Sequence, residues 1–337
     1  MTRVILTLNG GSSSVKFGVH AADDPAREIA AGDVEHAGAD TALFDRIGDY
    51  DVVAIGHRIV HGGTDLFAPV VIDAGIVERL ERASAFAPLH GPAALAMIAL
   101  AQARYPGVPQ VACFDTGFHA HMPAIAATLP IPADLRAQGV RRYGFHGLSC
   151  ESILAELGES VPERLIIAHL GNGASVTAVR GGRSVDTSMG LTPSGGVVMG
   201  TRAGDIDPGL LLFLLREHGL DADSLEELLD RRSGLLGLSG VSADLRVLHA
   251  TDTAATRLAI AIFCRSVAKQ IAGMAVALGG VDLIVFTGGI GEHDAAVRQS
   301  IRADLDWAGA IPVRVIAAQE NRQIARHVAR LRASWDG

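Results

Sequence analysis

Short aliphatic or β-branched runs bounded by glycine alternate with longer Ala/Leu/Arg/Glu stretches of helical period along the whole chain, which is the pattern of an α/β protein. The clearest short runs predict strands at Val4–Leu8, Val52–Ile55, Val108–Phe114, Leu165–His169 and Leu283–Thr287. Helical periodicity predicts helices over Ile76–Phe86, Ala93–Ala103, Leu210–Glu217, Leu225–Arg231, Thr256–Leu278 and Glu320–Arg332. Gly91-Pro92 marks a firm helix start, because a proline in the first turn gives up an N–H that has no intrahelical partner there.

The pattern also echoes itself. Val4–Leu8 leads into Asn9-Gly10-Gly11-Ser12-Ser13-Ser14 and a second strand through Phe17; Leu165–His169 leads into Leu170-Gly171-Asn172-Gly173-Ala174-Ser175 and Val176. Either alone is an ordinary Asn-Gly hairpin. Two copies at the heads of two α/β halves imply a duplicated fold whose glycine hairpins face a cleft, where backbone N–H groups and hydroxyls can hold phosphate. A chain of 337 residues allows two domains at about 150 residues each. The boundary falls softly, near Gly147.

Composition narrows the function. Lys+Arg 29 against Asp+Glu 37 leaves a net charge of −8, without the basic surplus of a nucleic-acid-binding protein. At 49% hydrophobic and 20% charged, the chain is neither disordered nor a disulfide scaffold. The first apolar run is too short for a secretory core, and Ile271–Val281, broken by three glycines, falls well short of the ~20 residues of a membrane helix. Cys113, Cys150 and Cys264 share no close spacing and suggest neither disulfides nor zinc, which fits a reducing cytoplasm. Only two of the basic residues are lysines, Lys16 and Lys269, and Lys16 stands in the Gly/Ser-rich loop.

Candidate chemistry concentrates in four segments: Gly56 to Gly63, Phe114 to His119, Arg141 to Gly147 and Met199 to Gly209. The first two follow apparent strands, where sites form in α/β sheets. No Walker A or G-x-G-x-x-G sequence occurs, which counts against P-loop and Rossmann chemistry. His57 and His61 lack a third partner at zinc-ligand spacing, as do His119 and His121, so structural hydrogen bonding accounts better for all four.

Together these segments resemble the acetate kinase family, within the acetate/sugar kinase and actin-like ATPase superfamily. The resemblance is carried by Asn9 through Lys16, His57 to Gly63, Ala87-Pro88-Leu89-His90, Phe114-Asp115-Thr116, the run ending at Gly147, and His169 to Ser175. Asp186 through Gly209, Ser233 to Gly237, Asp244-Leu245-Arg246 and Phe286 to Glu292 complete it. Departures are a shortened stretch between Val19 and Val52, Ser194-Gly195-Gly196 after Pro193, His293 for the usual Asn, and Gln319-Glu320-Asn321-Arg322 at the last motif.

The resemblance implies an α/β fold of the duplicated ribonuclease H-like, actin-like ATPase type around a nucleotide cleft. Its domains would cover 1–147 and 148–320, with a helix over 321–337 packing back on the first. It implies ATP and acetate in reversible exchange with ADP and acetyl phosphate, a homodimer, and magnesium, or manganese in its place, held through Asn9 and Glu320. Arg58 would hold the acetate carboxylate, with Val60, Leu89, Phe145 and Pro193 around the methyl group. His146 and Arg202 would stabilise the moving phosphoryl group. Asp115, catalytic in the family, is assigned an orienting role, because a carboxylate nucleophile is already ionised at neutral pH. The nucleotide would lie against Lys16, His169, Leu170, Gly171, Asn172, Gly173, Asp244, Leu245, Arg246, Gly289, Ile290, Gly291, Glu292 and His293. Propionate or butyrate kinases are the nearest alternatives. An actin-like or chaperone-like ATPase is the alternative of another class, and it needs no arginine clamp for a carboxylate.

Overall fold

The computed structural model describes residues 2–10, 14–35, 39–88 and 90–335. Gly11, Ser12, Ser13 and Leu89, singled out above, lie outside the described residues. The chain forms two compact units: Met1–Ala120 with Phe145–Ala155 and Gln319–Gly337, and His121–Gly144 with Glu156–Ala318.

The first unit is built on a six-stranded sheet of β1 (Arg3–Gly10), β2 (Ser14–Ala21), β3 (Glu28–Glu35), β4 (Asp51–Ile59), β5 (Val70–Val71) and β6 (Gln110–Phe114), in the order β3-β2-β1-β4-β6-β5. β1, β2 and β3 form an antiparallel meander; β4 pairs parallel to β1, and β6 parallel to β4. β1 is buried on both faces, so alternate side chains serve two cores. Val4, Leu6 and Leu8 pack with Phe17, Leu43 and Ile55, while Ile5 packs with Ala54, Val111 and three residues of the C-terminal helix Glu320–Arg332: Ile324, Ala325 and Val328. Gly56 on β4 sits under Ile324 and Val328, and a side chain there would collide with both.

The second unit carries β7 (Arg164–Leu170), β8 (Ala174–Arg180), β9 (Arg183–Thr187), β10 (Leu283–Thr287) and β11 (Val313–Val315), in the order β11-β10-β7-β8-β9. β7, β8 and β9 form an antiparallel meander, and β10 and β11 add in parallel beside β7. Read from the meander edge, β9-β8-β7-β10-β11 repeats β3-β2-β1-β4-β6 strand for strand. The duplication expected from two hairpins is therefore present in the topology of both sheets, with β5 as an addition to the first.

The helix Ala254–Leu278 packs Phe263, Val267 and Ile271 in the core of this second unit against β7 and β8. It is long and apolar enough to cross a membrane by length and composition, but its buried stripe is that of a core helix. It starts at a Thr253/Thr256 capping box and ends at Gly279 in the left-handed conformation. The strands and helices expected from periodicity are all present, most of them a few residues longer; β10 and the C-terminal helix keep the expected bounds.

Candidate active site

In the first unit the ends of three adjacent parallel strands bring together residues from three segments of the chain. Asn9 is near the end of β1, Arg58 is the penultimate residue of β4, and Asp115 directly follows β6. Arg58 donates from Nε (2.9 Å) and Nη2 (2.5 Å) to Asp115 Oδ2, and from Nη1 to Asn9 Oδ1 (3.1 Å) and the Gly10 carbonyl (3.4 Å). Asn9 Nδ2 donates in turn to Glu320 Oε2 at 2.8 Å. The Asp115 side chain is 1% exposed and that of Arg58 is 14% exposed, so this is an ion pair largely withdrawn from water. Burial pushes the Asp115 carboxyl up to about 6, against the pull of Arg58. Burial also opposes the Arg58 charge, but Asp115 first and Glu320 second outweigh it and raise its pKa further.

The Nε/Nη2 edge of Arg58 is thus spent on Asp115. Nη1 is engaged by Asn9 and Gly10, so the second Nη2 N–H is the donor that Arg58 keeps for an anion.

Phe145 and His146 enter the same unit on a strained turn. His146 has φ 59°, a left-handed conformation uncommon outside glycine, and it lies directly before the helix Gly147–Leu157. The Gly147 N–H donates to the Asp115 carbonyl at 2.8 Å, so a side chain at 147 would strike that carbonyl and Phe118. The other side of the turn is fixed by His119, whose Nε2 bonds the Phe145 carbonyl at 2.9 Å.

Val60 and Phe145 are both buried. A small cavity, with about 20 Å³ of room for a water-sized sphere, lies beside Val60 and is lined also by His61, Leu80, Ser84, Ala87 and His90. The His61 ring stacks on Phe86 at 4.8 Å and lies 5.6 Å from the Phe145 ring, while its Nδ1 accepts from the Gly63 N–H. His57 bonds Gln110 at 2.7 Å. Three of the four histidines without zinc spacing therefore have structural hydrogen bonds.

Among the described residues there is no group of three His, Cys, Asp or Glu arranged to hold a metal. The oxygen set at the ends of β1 and β6 and at the start of the C-terminal helix suits magnesium nonetheless. The buried Asp115 Oδ1 has no hydrogen-bond partner, and Glu320 lies close enough for its charge to raise the Asp115 pKa. Magnesium takes one or two carboxylates and keeps several waters, so this set fits it. Lys16 faces Asn9 across the β1–β2 pairing and is exposed.

In the second unit, His169 and Leu170 end β7 and Gly171-Asn172-Gly173 turns into β8, closed by Gly171 N–H to Gly173 O at 3.0 Å. His169 pairs with Thr287 at the end of β10, which sets the Gly288–His293 helix beside the hairpin. Gly288, at φ 76°, lies so close to the Leu170 carbonyl that no other residue fits. The Glu292 carboxylate accepts from the Gly288 and Ala318 N–H groups at 2.9 and 3.0 Å, so it shapes this turn. Gly289 has open space where a side chain would be, Ile290 and Gly291 continue the helix, and His293 is exposed.

Asp244 caps the helix Leu245–Thr251, accepting from the Arg246 N–H, and the 90% exposed Arg246 side chain folds back on it at 2.6 Å; Leu245 is buried. His249 of this helix bonds Asp294 at 2.9 Å, which links it to the end of the Gly288–His293 helix. Arg202 is buried, donating to the Pro193 carbonyl at 3.2 Å. Its loop is held by Gly200 N–H to Asn172 O (3.1 Å) and Leu235 N–H to Met199 O (2.9 Å), which joins the hairpin, the arginine loop and Ser233-Gly234-Leu235.

Sequence reasoning passed over Glu151, Ser152, Gln323 and His327, which join the helix following His146 to the helix that begins with Glu320. Their signal was the i, i+4 spacing of Gln323 and His327 on one helix face.

Residues 41–325 match the acetokinase family. An acetate kinase of Nitrobacter hamburgensis is 40% identical over 97% of this chain and 96% of its own length, and the acetate kinase 2 of Neisseria meningitidis serogroup A is 46% identical over 81% and 72%. The solved structure of a propionate kinase from Francisella tularensis subsp. tularensis superposes with a TM-score of 0.89 at 34% identity, covering 98% of this chain and all of its own. That of Porphyromonas gingivalis acetate kinase gives 0.83 at 30% identity, covering 98% and 99%. By sequence and by structure alike, the chain belongs to the acetokinase family.

Proposed function

We propose that the protein is an ATP:acetate phosphotransferase, which moves the γ-phosphoryl group of ATP to acetate and runs in both directions. The observation that carries this reading is the largely buried Asn9–Arg58–Asp115–Glu320 constellation, an arginine held by a carboxylate and an amide with an Nη2 N–H left for an anion. The acid is ionised at neutral pH, so its oxygen attacks the γ-phosphorus without prior proton removal as the bond to the ADP oxygen breaks. Arg58 binds the carboxylate through its charge and its remaining Nη2 N–H, and Asp115 orients Arg58. By the family resemblance, Val60, Leu89, Phe145 and Pro193 would surround the methyl group. His146 and Arg202 donate to the equatorial oxygens of the group in transfer, where fixed donors contribute most.

Asn9, through water, and Glu320 would hold magnesium, which would supply positive charge to offset the negative charge of the nucleotide phosphates. Lys16 supports the phosphates. The hairpin His169–Gly173, the Asp244-Leu245-Arg246 helix start and the Gly289–His293 segment hold the nucleotide, with Glu292 acting by shaping the turn.

A propionate kinase is the second reading, favoured by the Francisella tularensis neighbour. The helix Pro208–Glu217, which exposes Leu210, Leu212, Phe213 and Leu215, supports a homodimer that covers it. The three buried free cysteines suit a reducing cytoplasm that supplies ATP. Trapping the acyl phosphate with hydroxylamine, in the presence of ATP and each of acetate, propionate and butyrate, tests the reading. Acetyl hydroxamate in greatest yield is expected; ATP hydrolysis indifferent to any acid would overturn it in favour of a mechanical ATPase.

A further inference from the structure

The helix Gly147–Leu157 begins beside His146, and the C-terminal helix Glu320–Arg332 begins with Glu320. The two are tied at two levels. The Gln319 N–H, just before Glu320, donates to Ser152 Oγ at 3.1 Å, and Ser152 Oγ donates to the Ser149 carbonyl. One and two turns further along, Gln323 Nε2 (3.0 Å) and His327 Nε2 (2.5 Å) both donate to Glu151 Oε2. Gln323 and His327 are buried, and the Glu151 side chain is a quarter exposed.

This link closes a ring. Glu151 leads back along its helix to Gly147, whose N–H holds the Asp115 carbonyl. Asp115 holds Arg58, Arg58 holds Asn9, and Asn9 holds Glu320, which returns along the C-terminal helix to Gln323 and His327. Glu151, Gln323 and His327 are the members with no place in the reaction, and Glu151 is the acceptor that the other two share.

We infer that Glu151 is a positioning residue which, by gripping Gln323 and His327, sets the Glu320 carboxylate at the depth where it meets Asn9 and the metal. The inference rests on the metal role proposed for Glu320. Partners one step removed from a metal ligand typically cost about 10–100-fold in metal affinity when lost.

The test is Mn²⁺ binding in the presence of ADP, followed by the free-ion electron paramagnetic resonance signal, together with the Mg²⁺ concentration for half-maximal rate. Glu151→Ala is expected to weaken Mn²⁺ binding by about tenfold and to raise the Mg²⁺ requirement in parallel, with a smaller change in kcat at saturating metal. Glu151→Gln keeps an oxygen acceptor for both donors and should restore affinity to within about threefold of wild type. In a Glu320→Ala background Glu151→Ala should add nothing, because the group it positions is gone.

If Glu320→Ala alone leaves Mn²⁺ binding unchanged, the metal role of Glu320 is wrong. If Glu320→Ala weakens binding and Glu151→Ala does not, or if their effects simply add, the positioning role is overturned and the metal role stands. Should Glu151→Ala fail to fold, His327→Phe keeps the ring volume, removes the donor, and carries the same expectations.

Discussion

Replacing Asp115 with asparagine separates an orienting carboxylate from a chemical one. The side chain keeps its shape, and its Oδ1 can still accept from Arg58, but the two hydrogen bonds lose the negative charge of their acceptor while the guanidinium keeps its own. Loss of one ionised partner weakens each bond by about 1 kcal/mol, so the two together amount to about 2 kcal/mol, or roughly 30-fold. Because Asp115 acts through Arg58, most of that loss should fall on the KM for acetate, with kcat reduced far less. Asp115→Ala removes the acceptor altogether and strands a largely buried guanidinium, which costs about 3–5 kcal/mol and lowers kcat/KM correspondingly further.

The pH profile gives a second signature. With its pKa pushed up to about 6, Asp115 loses charge as the pH falls through that value, so wild-type kcat/KM should decline below about pH 6 and the asparagine variant should lack that limb. Steady-state assays over varied acetate from pH 5 to 8 measure both effects. Abolished turnover in Asp115→Asn at an unchanged acetate KM would refute the orienting role and make the carboxylate a participant in the chemistry.

Arg202→Ala and His146→Ala should each cut kcat by up to about 10³ while ADP binding by calorimetry changes little; near-normal turnover in a folded variant removes that residue from the site. Val60→Ala would enlarge the space beside the small cavity where an added methylene must sit. The propionate/acetate ratio of kcat/KM should therefore rise by about 10-fold, and an unchanged ratio would place the acyl pocket elsewhere.

His57 and His119 are both lowered to about 4 by burial, so the native state leaves them neutral while the unfolded chain protonates them below 6.5. Their contribution is intact above pH 6.5 and is lost towards pH 4, at about 2 kcal/mol each near pH 4.5; the raised Asp115 works in the opposite sense but more weakly. Urea unfolding should show a net loss of stability on acidification, and a flat profile would contradict it.

The strands that periodicity revealed are those buried on both faces. β3, with Glu28, Asp33 and Glu35, and the three-residue β11 carry too little apolar pattern to be seen. The Gly56-His57-Arg58 run is expected just after a strand, yet it lies inside β4, where alternation sends His57 to Gln110 and Arg58 to Asp115. The helix Gly147–Leu157 was hidden by its serines and Cys150, and with it the role of Glu151. Each motif stands out locally by its glycines, but an Asn-Gly turn alone is an ordinary hairpin, and it is the repetition and the resemblance that point to a site. Pairings such as Asn9 with Glu320, 311 residues apart, are not encoded in any local window, and only the resemblance suggested that one.

Asn9 shows why one residue type is required at the centre of the first unit. Its amide must donate to one anion and accept from one cation at once: Nδ2 meets the Glu320 carboxylate, and Oδ1 meets the Arg58 guanidinium. An aspartate could accept from Arg58, but it would set a third carboxylate beside Asp115 and Glu320 around a single positive charge, with an oxygen facing an oxygen at 2.8 Å. The duplicated hairpin of the second unit also carries an asparagine, Asn172, yet there the hydrogen bond to Gly200 uses the backbone carbonyl. Duplication supplied a similar Asn/Gly sequence twice. In the first unit the amide side chain reaches out of the hairpin to Arg58 and to the start of the C-terminal helix, and this contact joins the strand ends to Glu320 as one polar network.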